Sequence, residues 1–267
     1  PGTAARMEAD VRLLIRLAGI VEARSPDIAR YRPVEFLRTF GRNLAWEMDL
    51  AAESRACERI GAYLETIGVR TPAIHWELTG LRVNVQERLY GRPASSLGAS
   101  SGDPEVAAFA KCYANAVLRM IILNGEFHGD PHPGNVFLIG EQDVGFIDFG
   151  SVGTLTKARR DEIVRLVLAI AGEETSVVAD VLLAWAGEPK VDRDALAVDL
   201  DQLIGEFRGT VLSGIEFSQI FSRVFDLLRD YRLVLPPDLA ILLRTLLTAE
   251  GFVRSLAPDY NIAEETR

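Results

Sequence analysis

The stretch FHGDPHPGNVFLIGEQDVGFIDFG, Phe127 to Gly150, constrains the fold more than any other part of the chain. NVFLIG and DVGFID are short runs of apolar, β-branched and aromatic residues separated by a tight turn, so they read as a two-stranded antiparallel hairpin. A hairpin returns its second strand to the edge where the first began. Asn135 stands at the start of the first strand and Asp148 at the end of the second, so the turn brings an amide oxygen and a carboxylate together at one edge.

Three readings of this stretch compete. His128, Asp130 and His132 alternate like zinc ligands, but zinc sites use three or four protein ligands and the one further histidine is His75. A purely structural loop would have the prolines stiffening it and His128 capping a helix. The third reading rests on spacing: Asp130 and Asn135 form D-x-x-x-x-N, and a DFG, Asp148 to Gly150, follows at the end of the hairpin. That is a phosphoryl-transfer arrangement, in which the first aspartate orients or deprotonates a nucleophile. The asparagine and the second aspartate then hold Mg²⁺ on nucleotide phosphates.

Composition narrows the classes. With 267 residues and 48% hydrophobic content, the chain can bury the core of one large domain or two small ones. A net charge of −9 without a long Lys/Arg block argues against a nucleic-acid partner, because phosphate neutralisation needs clustered cations. Lysine occurs only at Lys111, Lys157 and Lys190. Cys57 and Cys112 lie far apart in helical stretches and read as reduced thiols, which fits a cytoplasmic location. The chain begins PGTAARMEADVR, without the apolar core of a signal peptide, and its apolar runs IVRLVLAIAG and LAILLRTLLTA are broken by arginine, so no membrane-spanning helix is expected.

Along the chain, Arg6 to Arg24 repeats apolar residues at helical spacing, and Ser25 to Leu64 reads as a second and a third helix. TPAIHWEL and LRVNVQERLYG, around the turn TG, predict two antiparallel strands, Ala73–Leu78 and Arg82–Leu89. After a Ser/Gly-rich loop, Asp103 and Pro104 open a helix through Leu123. From Thr156 onward the pattern predicts five further helices.

The motifs together resemble protein-kinase-like folds and, within them, the UbiB (AarF) family of atypical kinases. HGDPHPGN and IDFGSVGTLT look like that family's catalytic and metal-binding loops, with HxD in place of HRD. EMDLAAESRACERI is similar to its ExD signature: Glu47 and Asp49 match the two acids, and Glu53 matches the partner of the nucleotide-binding lysine. LPPDLAILLRTLLTAEGFVRSLAPDYNI resembles its C-terminal helical region. The resemblance implies an α+β, predominantly α-helical, protein-kinase-like fold. Residues 1–91 would be a truncated N-lobe (helices, an αC-type helix, two strands and the hinge), and residues 92–267 a mainly helical C-lobe.

It also implies ATP and Mg²⁺ as cofactors. Asp130 would be the catalytic-loop aspartate with His128 shaping the loop, Asn135 and Asp148 the metal ligands, and Glu53, the Glu87 carbonyl and the Leu89 amide the nucleotide contacts. Plainer alternatives stand beside these: a solvated acidic helix for Glu47, Asp49 and Glu53, and an edge strand ended by Gly91 for the hinge. The family's lysine strand and KxGQ extension have no counterpart before Glu53, so the chain reads as shortened, by truncation or by nature. Weak MgATP binding, slow turnover and open strand edges that favour self-association are the expected consequences. Family members support isoprenoid-quinone (ubiquinone) biosynthesis, so a lipid or quinone precursor is an expected partner. Peripheral membrane contact would run through Val11, Leu14, Ile15 and Ala18, a face of the kind that more often packs in a core than on a membrane. A small-molecule phosphotransferase of the aminoglycoside or choline kinase type and a non-catalytic nucleotide-binding scaffold are the alternative functions.

Overall fold

The computed structural model describes residues 3–25, 33–35, 37–38, 41, 49–97, 103–140, 143–187, 191–206, 217–233 and 236–257. Its helices are α1 (Thr3–Arg24), α2 (Leu50–Glu65), α3 (Pro104–Arg119), α4 (Lys157–Ala171), α5 (Thr175–Trp185), α6 (Arg193–Glu206), α7 (Phe217–Asp230) and α8 (Pro237–Leu256). Its strands are β1 (Arg92–Pro93), β2 (Glu126–His128), β3 (Val136–Ile139), β4 (Asp143–Phe146) and β5 (Val152–Thr154). They belong to two compact units, Pro1–Ala56 with Ala73–Glu87, and Cys57–Pro72 with Arg88–Arg267.

In the first unit, α1 half-buries Val11, Ile15 and Ala18 as its periodicity predicts, but turns Leu14 outward with Leu13 and Leu17. Asp49 caps α2, its Oδ1 accepting the Ala52 amide at 3.0 Å. The arm 73–87 departs from the two predicted strands. Glu87 N–H donates to Ala73 O (2.8 Å) and His75 N–H to Val85 O (2.9 Å), but the chain then turns at Trp76–Leu78. There the Thr79 hydroxyl substitutes for a backbone partner, accepting the Val85 amide at 3.0 Å. A side chain in the ladder's place stops the ladder, and only isolated bridges, Ile74 with Gln86 and Gly80 with Val83, remain.

The second unit is built around α3. Asp103 Oδ1 accepts the Glu105 amide (2.9 Å) and Pro104 occupies the first turn, where its missing N–H costs nothing. Val106, Phe109, Ala110, Tyr113, Ala114 and Val117 then follow at helical spacing and form one buried face. Among the described residues Pro104–Asn124 is long and apolar enough to cross a membrane by length and composition, and half of that window is buried inside the fold. Helix α8 lies against α3, with Phe252 edge-on to Tyr113 at 4.9 Å between ring centroids. Helices α4 to α7 enclose a second apolar cluster containing Ala179, Leu182, Leu196, Leu200 and Leu228.

The predicted hairpin forms as β3 paired with β4, Val136 opposite Phe146, with β1 on the outer edge of β3. On the β4 side, Arg70 exchanges backbone bonds with Val144 and Phe146, both at 2.9 Å. A separate two-stranded sheet pairs β2 with β5, setting His128 opposite Val152.

Candidate active site

The loop between β2 and β3 is anchored by hydrogen bonds from side chains and main chain on several sides. His128, at the end of β2, is fully buried between Phe146 and Phe149. Its Nδ1 accepts the Asp130 amide at 3.1 Å, so Nε2 carries the ring proton and donates it to Ile147 O, also at 3.1 Å. Both nitrogens are satisfied by main chain in the neutral form alone. Burial pushes the His128 pKa below its ordinary value, which agrees with that tautomer.

Gly129 continues the β2–β5 pairing through its amide to Ser151 O (2.8 Å), and a Cβ there would stand 2.8 Å from Ser151 Oγ. The Gly129 carbonyl accepts from Arg244 Nη2 (2.9 Å) and Thr245 Oγ1 (3.2 Å) of α8, and Arg244 Nη2 also donates to Ser151 Oγ at 2.9 Å. The Pro131 carbonyl accepts from the buried Tyr113 hydroxyl at 2.6 Å. Burial and, after it, the nearby Asp130 charge push the Tyr113 pKa up, so the phenol stays a neutral donor. Sequence reasoning missed Tyr113, Arg244 and Thr245. The available signal was the isolated polar group that Tyr113 places on an otherwise apolar buried face.

Asn135 closes the loop. Its Nδ2 donates to Asp130 O (3.2 Å), its amide donates to His132 O (2.9 Å), and its carbonyl accepts the Ile147 amide (2.9 Å). With Nδ2 so engaged, Oδ1 is the free donor oxygen of the side chain. The Ile147 bond sets Asp148 one residue past the hairpin edge. Asp148 has φ 59°, a left-handed backbone costing a non-glycine residue about 1–2 kcal/mol, and its Oδ1 accepts the Gly150 amide at 3.2 Å. The structure therefore gathers His128, Asp130, Asn135 and Asp148 around one loop. His132 stands apart as a local cap, its Nδ1 accepting the Gly134 amide at 2.8 Å. Among the described residues no group of three His, Cys, Asp or Glu side chains could hold a metal, which removes the zinc reading.

The Asp130 carboxylate makes no hydrogen bond or ion pair to any described residue. Asn135 Oδ1 and the Asp148 carboxylate are hard oxygen donors, the donor type that suits Mg²⁺ sharing its shell with phosphates and water.

Each of the other expected site residues has local contacts within its own unit. Asp49, besides capping α2, pairs with Arg55 at 3.6 Å, and Glu53 sits in the first turn of α2. Glu87 Oε2 accepts the Ala73 amide at 3.2 Å. Leu89, in the second unit, packs its Cδ1 against Gly145. Glu47 lies outside the described residues.

Residues 1–182 match the ABC1 atypical kinase-like domain and residues 200–261 the UbiB helical domain. A probable protein kinase UbiB of Cellvibrio japonicus is 28% identical over 98% of this chain and 49% of its own length. An uncharacterised chloroplastic aarF domain-containing protein kinase of Arabidopsis thaliana is 26% identical over 100% and 55%. The chain thus spans about half the length of the curated relatives it matches. The Mycobacterium tuberculosis protein Rv3197, solved in complex with erythromycin, superposes with a TM-score of 0.69 over 99% of this chain and 68% of that one, at 19% identity, and so shares the fold. With residues 1–182 of its 267 inside the first match, the chain belongs to the ABC1 atypical kinase-like family, the UbiB/AarF group, with a mainly helical kinase-like fold.

Proposed function

We propose that the chain binds MgATP through Asn135 and Asp148 and acts as a UbiB-type atypical kinase or ATPase, with Asp130 as its catalytic-loop aspartate. The observation that carries this reading is the contrast at Asp130: the main chain on both sides of it is tied down, while its carboxylate has no hydrogen-bond or ion-pair partner among the described residues. Such a group can orient or deprotonate a hydroxyl or a water. Mg²⁺, when bound, would neutralise phosphate charge. Asn135 Oδ1 and the Asp148 carboxylate would hold it, and the Asn135–Ile147 backbone bond would fix their spacing.

Family resemblance gives Glu53 the place of the lysine's partner and gives the Glu87 carbonyl and the Leu89 amide the adenine contacts. The resemblance to the UbiB family also implies a role in isoprenoid-quinone biosynthesis or related lipid metabolism, with a lipid or quinone precursor as partner.

A calorimetric titration with ATP, with and without Mg²⁺, tests this reading. Binding that requires Mg²⁺ and falls about tenfold or more in Asp148→Asn, roughly 1.4 kcal/mol, is expected. Binding indifferent to Mg²⁺ or to that substitution overturns the site.

A further inference from the structure

We infer that Arg244 and Thr245, adjacent on α8, are positioning residues for Asp130, and that they make this helix a control element for the catalytic loop. The inference rests on the phosphoryl-transfer reading of Asp130, but its geometry is independent of any ligand.

The peptide unit between Gly129 and Asp130 is held at both of its polar ends. Its carbonyl accepts from Arg244 Nη2 at 2.9 Å and Thr245 Oγ1 at 3.2 Å, and its N–H donates to His128 Nδ1 at 3.1 Å. The following peptide unit is held at its carbonyl by Asn135 Nδ2 at 3.2 Å. Fixing both peptide planes fixes φ and ψ of Asp130, and therefore the direction in which its side chain leaves the backbone. His128 and Asn135 belong to the loop's own motif. Arg244 and Thr245 do not: they arrive from a helix 115 and 116 residues further along the chain.

Arg244 grips a second segment with the same nitrogen. Nη2 also donates to Ser151 Oγ at 2.9 Å, and Ser151 O accepts the Gly129 amide at 2.8 Å. One cation thus spans the residue before Asp130 and the residue after the DFG. Thr245 is fully buried, so losing its bond leaves the Gly129 carbonyl short of a donor where water cannot replace it. A shift of α8 would act on the Gly129–Asp130 peptide directly, through the bonds of Arg244 and Thr245 to the Gly129 carbonyl. Whatever binds or moves α8 would therefore change turnover with little effect on nucleotide affinity.

Both contacts of Arg244 run through a single nitrogen, so a lysine ammonium can reproduce them while a leucine cannot. The test compares the full 267-residue chain with Arg244→Leu, Arg244→Lys and Thr245→Val, using circular dichroism to confirm folding. In steady-state ATP hydrolysis, Arg244→Leu should lower kcat on the order of 10- to 100-fold while KM for MgATP stays within about threefold, and Arg244→Lys should recover most of the loss. Equal losses in the Leu and Lys variants, or a change confined to KM, would overturn the inference.

A second readout needs no turnover. The ring-nitrogen shifts of His128 should report one locked tautomer, protonated at Nε2, in the wild type and in Arg244→Lys. They should report an averaged ring in Arg244→Leu and, to a smaller extent, in the nearly isosteric Thr245→Val. If the wild type hydrolyses no ATP, the functional reading fails while these shifts still decide the positioning. A His128 ring as firmly locked in Arg244→Leu as in the wild type would contradict it. Should Arg244→Leu not fold, an unchanged ring in Thr245→Val contradicts it in the same way.

Discussion

His128 shows how one buried side chain can carry a loop's geometry, with both ring nitrogens committed to main chain. Its two ring nitrogens accept from Asp130 N–H and donate to Ile147 O, an arrangement that protonation destroys. In the unfolded chain the ring takes up a proton near its ordinary pKa of 6.5, whereas burial lowers the folded value. Below pH 6.5 the unfolded state therefore binds more protons than the folded one, and stability falls as the pH falls; above it the full stability is present. Thermal melts at pH 7.5 and pH 5 should show this loss. His128→Gln, which keeps an acceptor and a donor but cannot titrate, should flatten that part of the pH dependence. An equally steep dependence in the variant would mean that other groups carry it. Asp148 is the complementary case, a non-glycine residue held at φ 59° whose carboxylate is turned back to the Gly150 amide.

At the scale of elements, the site depends on α3 and α8 as much as on the hairpin. Tyr113 of α3 reaches Pro131 O, Arg244 and Thr245 of α8 reach Gly129 O, and Phe252 packs edge-on to Tyr113. Truncating that contact with Phe252→Ala should cost about 3–5 kcal/mol of stability, read in a urea melt. A loss below about 1 kcal/mol would show that the helices are held by something other than this aromatic contact. The hairpin and the helices were legible in the sequence because their signals are local: Asp103-Pro104 ahead of a helical repeat, or apolar runs flanking a turn. Tyr113 and Arg244 were not, because nothing in their surroundings says that they meet a loop 18 and 115 residues away. The arm 73–87 read as two strands because its residues suit strands, and periodicity gives no warning that Thr79 Oγ1 will take a ladder position. His132 drew attention as a metal ligand, yet it is the residue that caps, a role the sequence had offered to His128.

At the scale of the whole molecule, the two compact units divide the expected site residues: Asp49, Glu53 and Glu87 in the first, and His128, Asp130, Asn135, Asp148 and Leu89 in the second. Family membership accounts for the kinase-like, mainly helical architecture, and the comparisons cover this chain almost end to end while it covers about half of its curated relatives. What the second unit contributes by itself is an aspartate whose backbone is pinned from the ring of His128, the amide of Asn135 and the Arg244–Thr245 step of α8, while its carboxylate makes no hydrogen bond or ion pair to a described residue. The account turns on that carboxylate being the reacting group. Its most direct test is phosphate release from MgATP over a long incubation, wild type against Asp130→Asn, with nucleotide affinity and melting temperature measured on the same samples. The account predicts slow release by the wild type, background release by Asp130→Asn, and unchanged affinity and melting. Release at the same rate from both proteins would contradict it.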